Sequence, residues 1–144
     1  MNRVGVVVVS HGAAGHEMLL EVARLLGDAS TNSIFAVTVE FGEARSVTLG
    51  HIQAAVNQVD SGKGVVVLCD LWGSTPANCC TEAQLSGPTE LMIVSGLNLP
   101  MLVKVASSDR EALGPRDLAD VALRTAQVAT RIIGPLGGNG KGAS

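Results

Sequence analysis

The segment Val4-Gly5-Val6-Val7-Val8-Val9 is the feature that most narrows what this chain can become. It is β-branched and apolar without alternation. A strand with one wet face alternates, so this one is expected to be covered on both faces, as in the centre of a parallel sheet. It is far too short to cross a bilayer, which takes about 20 residues. Three more strands follow at Ile34-Phe35-Ala36-Val37-Thr38-Val39, Val65-Val66-Val67-Leu68-Cys69 and Leu91-Met92-Ile93-Val94-Ser95.

Helical patterns separate them. Glu17 to Leu26 places Met18, Leu19, Val22, Leu25 and Leu26 on one face, and Val47 to Val59 turns Val47, Ile52, Ala55, Val56 and Val59 inward. Pro76, Pro100 and Pro115 suit helix starts, predicting helices to about Leu85, over Met101 to Ala106, and through about Ala129 with Leu118, Val121, Ala122 and Val128 inward. Gln127 to Ile133 reads equally as helix end or late strand. The alternation predicts an α/β fold, a doubly wound three-layer α/β/α sandwich with a mainly parallel sheet. The expected strand order is 2-1-3-4, with an extra edge strand left open near the C-terminus. One domain over residues 1–134 and a Gly-rich tail over 135–144 are expected.

Composition excludes several functions. With 47% hydrophobic and 16% charged residues the chain of 144 builds a true core. A net charge of -3 gives no footprint for nucleic acid or an anionic membrane. Phe35, Phe41 and Trp72 are the only aromatics, too few for a stacking platform. No signal peptide is visible, and Cys69, Cys79 and Cys80 make no disulfide framework, so a reduced, cytoplasmic protein is expected with these thiols as small buried hydrophobes.

In open α/β sheets, ligands sit beyond the carboxyl ends of strands. Here those ends lead into Ser10-His11-Gly12-Ala13-Ala14-Gly15, Asp70-Leu71-Trp72-Gly73-Ser74-Thr75-Pro76-Ala77-Asn78 and Gly96-Leu97-Asn98-Leu99-Pro100-Met101. The set suits phosphoryl transfer through histidine. Free imidazole titrates near 6.5, so it is a competent neutral nucleophile at pH 7. Asp70 is the acid placed to hold one ring N–H of His11 and aim the other nitrogen outward; it also suits an N-cap. Helix N-termini and the hydroxyls of Ser74 and Thr75 would bind phosphoryl oxygens, while Gly12 and Gly73 allow close backbone approach. Asn98 either shapes its turn or contacts phosphate, and Trp72 either plugs the loop or docks a partner. His16 and His51 read as surface residues. No ligand spacing suggests a metal, and no Gly-rich segment matches a nucleotide-binding pattern.

Val9-Ser10-His11-Gly12, Asp70 to Asn78 and Gly96 to Leu102 together resemble the EIIA family of the mannose-type sugar phosphotransferase system (PTS), over roughly residues 3 to 130. The resemblance implies a phosphocarrier with no cofactor beyond a covalent phosphohistidine. His11 would be the acceptor through Nε2, and Asp70 its hydrogen-bonding carboxylate. The donor would be the histidine phosphocarrier HPr and the recipient an EIIB domain. The resemblance also implies a homodimer in which a terminal strand pairs with the partner subunit, and contact with the membrane only through the transporter.

This chain departs from the family at Gly73-Ser74-Thr75-Pro76, where Gly-Gly-Ser-Pro is usual, and at Cys79-Cys80, where small residues such as Ala are usual. No EIIB domain follows, so the recipient is expected on a separate chain. Competing readings are a regulatory phosphoprotein of an incomplete system, the phosphotransfer subunit of dihydroxyacetone kinase, and a metal chelatase with a His-Gly after its first strand.

Overall fold

The computed structural model describes residues 2–71 and 75–135. Its first strand, β1 (Gly5–His11), is buried on both faces until its last residue. Val6 and Val8 point to one side and Val7 and Val9 to the other, so the unbroken apolar run covers both surfaces of the sheet. Three further strands, β2 (Ile34–Val39), β3 (Val65–Cys69) and β4 (Leu91–Ser95), fall where the sequence places them. Among the described residues they form one four-stranded sheet in the order β2-β1-β3-β4. All three pairings are parallel, with His11 opposite Val39, Val9 opposite Cys69 and Cys69 opposite Ser95.

Helices cover both faces. On one side lie α1 (Ala14–Leu26), α4 (Leu99–Ser107) and α5 (Pro115–Ala129), which bury Val22, Met101, Leu102, Val105, Leu118 and Ala122 against Val6, Val8, Val66 and Leu68. On the other lie α2 (Arg45–Val59) and α3 (Thr75–Ser86), whose Ile52, Ala55, Val56, Cys79 and Cys80 pack on Val7, Val9, Val65 and Val67. The expected three-layer sandwich is therefore present.

Several details differ from expectation. Leu25 and Leu26 of α1, Val47 of α2 and Val128 of α5 are exposed rather than inward. All four sit in the first or last turns of their helices. In α2 it is Thr48, not Val47, that is buried; its hydroxyl donates to the Glu43 carboxylate at 2.6 Å. The stretch left open at the C-terminus resolves as helix through Ala129, and residues 130–135 have no regular structure, so no fifth strand forms among the described residues. The Gly-rich tail lies outside them, apart from Pro135.

One buried cation went unread in the sequence. The Arg110 guanidinium donates to the carbonyls of Val4 at 3.1 Å and Asn32 at 2.6 Å, tying the α4–α5 loop to the amino end of the sheet. Burial, reinforced by Arg3, lowers its pKa to about 10.

Two glycines should respond oppositely to alanine. A Cβ on Gly5 would fall on the Val59 carbonyl, whereas one on Gly50, on the exposed side of α2, meets open space. Gly5→Ala is expected to lose about 1–3 kcal/mol through overpacking. Gly50→Ala should gain about 0.5–1 kcal/mol from helix propensity. Urea-unfolding midpoints of the two variants should move in opposite directions from the parent.

Candidate active site

The helices between β1 and β2 and between β2 and β3 lie on opposite faces, so the winding reverses between β1 and β3. This switch point opens a crevice beyond the carboxyl ends of the two strands. His11 ends β1 on one side of it, and Asp70 directly follows β3 on the other. The β1–β3 ladder runs one residue past β3, with the Asp70 N–H donating to the Val9 carbonyl at 3.2 Å. That bond fixes Asp70 beside His11.

Asp70 then holds His11 twice through one oxygen. Its Oδ2 accepts the His11 backbone N–H at 2.8 Å and lies 3.0 Å from the ring Nδ1. Burial pushes the Asp70 carboxyl up, but the bonds from the His11 N–H, the His11 ring and the Leu71 N–H outweigh it, leaving the group below the ordinary carboxylate range. An ionised carboxylate only accepts, so Nδ1 is the donor in this contact and Nε2 is the ring nitrogen left out of it. The His11 side chain is 51% exposed and the Asp70 side chain 24%. The site thus presents an oriented imidazole that is half open to solvent. Asp70 does not cap α3, which begins only at Thr75.

The His11 loop is braced from beneath by a residue the sequence reading passed over. Ser10 is fully buried; its hydroxyl donates to the Gly12 carbonyl at 3.1 Å and accepts the Gly15 N–H at 2.8 Å. It caps the first turn of α1 from outside the helix. Gly15 permits this, since a Cβ there would lie 2.7 Å from Val8 Cγ1 and 3.0 Å from the Ser10 hydroxyl. The signal was the second glycine of Ser10-His11-Gly12-Ala13-Ala14-Gly15, buried at a helix start.

The expected phosphoryl-binding residues divide. Gly12 has φ of +58°, and a Cβ there would meet open space, so close approach is available. Its own N–H is committed to the Val39 carbonyl at 2.9 Å, so Gly12 shapes the site without donating. Asn98 is the N-cap of α4, its Oδ1 accepting the Met101 N–H at 2.9 Å; the turn-shaping role is the one observed. With Pro100 lacking an N–H, the start of α4 has little left for an anion. Helical geometry leaves the N–H groups of Ala14 and His16 in α1 without partners inside their helix. Thr75 opens α3 and is exposed. Trp72, Gly73 and Ser74 lie outside the described residues.

The remaining candidates behave as ordinary structure. His16 and His51 are exposed, His51 Nδ1 standing 4.0 Å from Glu43. All three cysteines are buried in the core, and burial pushes the thiols up, Cys69 to about 11 and Cys80 to about 12. Among the described residues no three His, Cys, Asp or Glu side chains converge as a metal site would need.

The described geometry is thus a carboxylate-oriented, half-exposed histidine at the switch point of a doubly wound sheet. Comparison with known proteins names the family. The EIIA-man model, described as the PTS system fructose IIA component, matches residues 5–122, and the chain belongs to that family. The mannose-specific EIIAB component of the PTS from Escherichia coli K12 is 23% identical over 130 residues. That match covers 90% of this chain but 39% of the relative, so the chain spans well under half the length of the curated relatives it matches. The mannose/sorbose-specific IIA subunit from Enterococcus faecalis superposes with a TM-score of 0.81 at 27% identity, covering 92% of this chain and 96% of that one. The EIIA component from Streptococcus agalactiae gives 0.80 at 22% identity over 90% and 96%, which speaks to the fold. Membership in a phosphotransferase family removes the ground for the chelatase reading.

Asp70 should link stability to pH. Its depressed pKa means a contribution fully present above about pH 4, the ordinary carboxylate range, and lost as pH falls through the lower folded value. Asp70→Asn removes that titration. The stability gap between parent and variant should be widest at pH 7 and should close towards pH 3 in urea unfolding; a gap that does not change with pH would detach the carboxylate charge from the fold.

Proposed function

We propose that this protein is a phosphocarrier of a sugar phosphotransferase system, taking a phosphoryl group from phospho-HPr on His11 and passing it to an EIIB domain on another chain. The observation that carries this is the 3.0 Å contact between His11 Nδ1 and an ionised Asp70. It leaves Nε2 as the nucleophile. Nε2 attacks phosphorus in line, a bond forms from Nε2 to phosphorus, and the bond to the donor histidine breaks. The attacking imidazole keeps its Nδ1 proton and becomes a phosphoimidazolium, whose positive ring faces the Asp70 carboxylate. Asp70 thus stabilises charge that develops only on transfer. First-turn N–H groups of α1 and the hydroxyls of Ser74 and Thr75 bind the phosphoryl oxygens, while Gly12 and Gly73 give them room. No cofactor is needed beyond the phosphohistidine, since transfer between two imidazoles is near balance and asks chiefly for positioning. A regulatory protein would use the same residues up to the first transfer and differ only in having no EIIB recipient.

The carrier is cytoplasmic and homodimeric in this reading. No helix among the described residues is long and apolar enough to cross a membrane. Support for the dimer comes from β4, which among the described residues ends the sheet with one side unpaired, and from Ile132 and Ile133, which are 93% and 70% exposed just after α5. Such a terminal segment suits pairing with a second copy.

Two measurements test these statements. Incubation with phosphoenolpyruvate, EI and HPr should add one acid-labile phosphoryl group, absent in His11→Ala. Asp70→Asn should stay folded and transfer at least about tenfold more slowly; unchanged kinetics would remove Asp70 from the mechanism. In sedimentation velocity the parent should run as a dimer, and a variant carrying Ile132→Asp and Ile133→Asp should run as a monomer.

A further inference from the structure

In a chain with two Phe and one Trp, one Phe stands fully in water: Phe41, in the loop that leaves β2. It lies two residues beyond Val39, which pairs in register with His11 and accepts the Gly12 N–H. Leu71, 60% exposed, directly follows Asp70. Because the sheet runs β2-β1-β3, these two apolar side chains issue from the strands on either side of the one that ends in His11. A scattered exposed Leu means little, but two large apolar groups flanking a half-exposed reactive histidine mark a contact surface.

The charge around them says what kind of surface fits. The loops at this rim, residues 10–15, 40–44, 70–75 and 96–98, hold Glu40, Glu43 and Asp70 and not one Lys or Arg. Arg45, the first residue of α2, is tied to Glu82 at 3.2 Å. A phosphoryl group arriving here meets no cation from these loops. The positive charge that steadies it in flight has to come with the partner.

We propose that Phe41 and Leu71 form an apolar collar that docks the phosphoryl donor protein, a partner whose phosphorylated side chain sits in an apolar surface rimmed by Lys or Arg. This rests on the phosphocarrier reading of His11. Docking supplies proximity and brings the missing cations over the acidic rim.

Two donors separate docking from chemistry: phospho-HPr, which must dock, and phosphoramidate, a small molecule that phosphorylates histidine without a protein surface. For Phe41→Ala, the phospho-HPr concentration giving half-maximal transfer should rise about tenfold. The rate at saturation should change less than about twofold, and labelling by phosphoramidate should match the parent. Leu71→Ala should act in the same direction, and transfer to the parent below saturation should slow as salt rises. An unchanged dependence on phospho-HPr would overturn the collar. So would equal slowing with both donors, which would make Phe41 a shaper of the site, or a shift in sedimentation, which would place it between copies of this chain. Failure of both donors to label the parent on His11 would instead overturn the phosphocarrier reading beneath it.

Discussion

The parallel pairing of β1 with β3, in register from Gly5 opposite Val65 to Val9 opposite Cys69, is the contact from which the rest of the molecule is organised. Both strands are apolar on both faces, so neither can lie at a wet edge or leave a face bare. Helices must then cover both sides, which requires the winding to reverse between these two strands. The reversal leaves the crevice, and the register decides what stands in it. A slip of one residue would carry Asp70 away from His11 and would also exchange which valines face which helices. The same apolar run that drives folding therefore sets the distance between His11 and Asp70.

Around that distance the backbone is over-determined while the reactive ring stays open. The His11 N–H goes to Asp70, the Gly12 N–H to Val39, the Gly12 carbonyl to Ser10 and the Gly15 N–H to Ser10 again. These bonds draw in β2, β3 and α1, so the loop cannot shift without breaking contacts to three elements. The imidazole needs only its orientation fixed, and Asp70 provides it without covering Nε2.

The strands and the pairing of His11 with Asp70 were legible in the sequence because each rests on local pattern. Three of the four strands fall on the residues expected, and β1 is displaced only at its ends. His11 and Asp70 could be paired because ligands gather beyond strand ends in this fold class. What could not be read depends on lengths and partners distant in the chain. Periodicity gave the inner face of α1 through Met18, Leu19 and Val22, but it says nothing of where the sheet stops, and so Leu25 and Leu26 were placed inside when they are exposed. Asn98 was left open between shaping its turn and contacting phosphate, and Gly12 was read as giving room; the backbone groups they engage, the Met101 N–H and the Val39 carbonyl, appear only once the loops are folded. Arg110 gave no signal at all, because its role consists of carbonyls 78 and 106 residues away.

These details share a direction: the rim offers an anion fewer free donors than its sequence suggests. One glycine N–H and one helix N-terminus are already occupied, and no Lys or Arg stands in the surrounding loops. For an enzyme that had to hold a phosphate this would be a weakness. In the carrier role proposed above it would be a requirement, since a group bound tightly between arrivals would be slow to leave. Under that proposal, a site that supplies an oriented nucleophile and a carboxylate for its ring, and leaves the countercharge to whichever protein is docked, would make the phosphohistidine easiest to form and to discharge only when a partner is present. Sparse anion binding at the rim and apolar side chains beside it are then two halves of one design, in which the transition state is completed by two surfaces meeting.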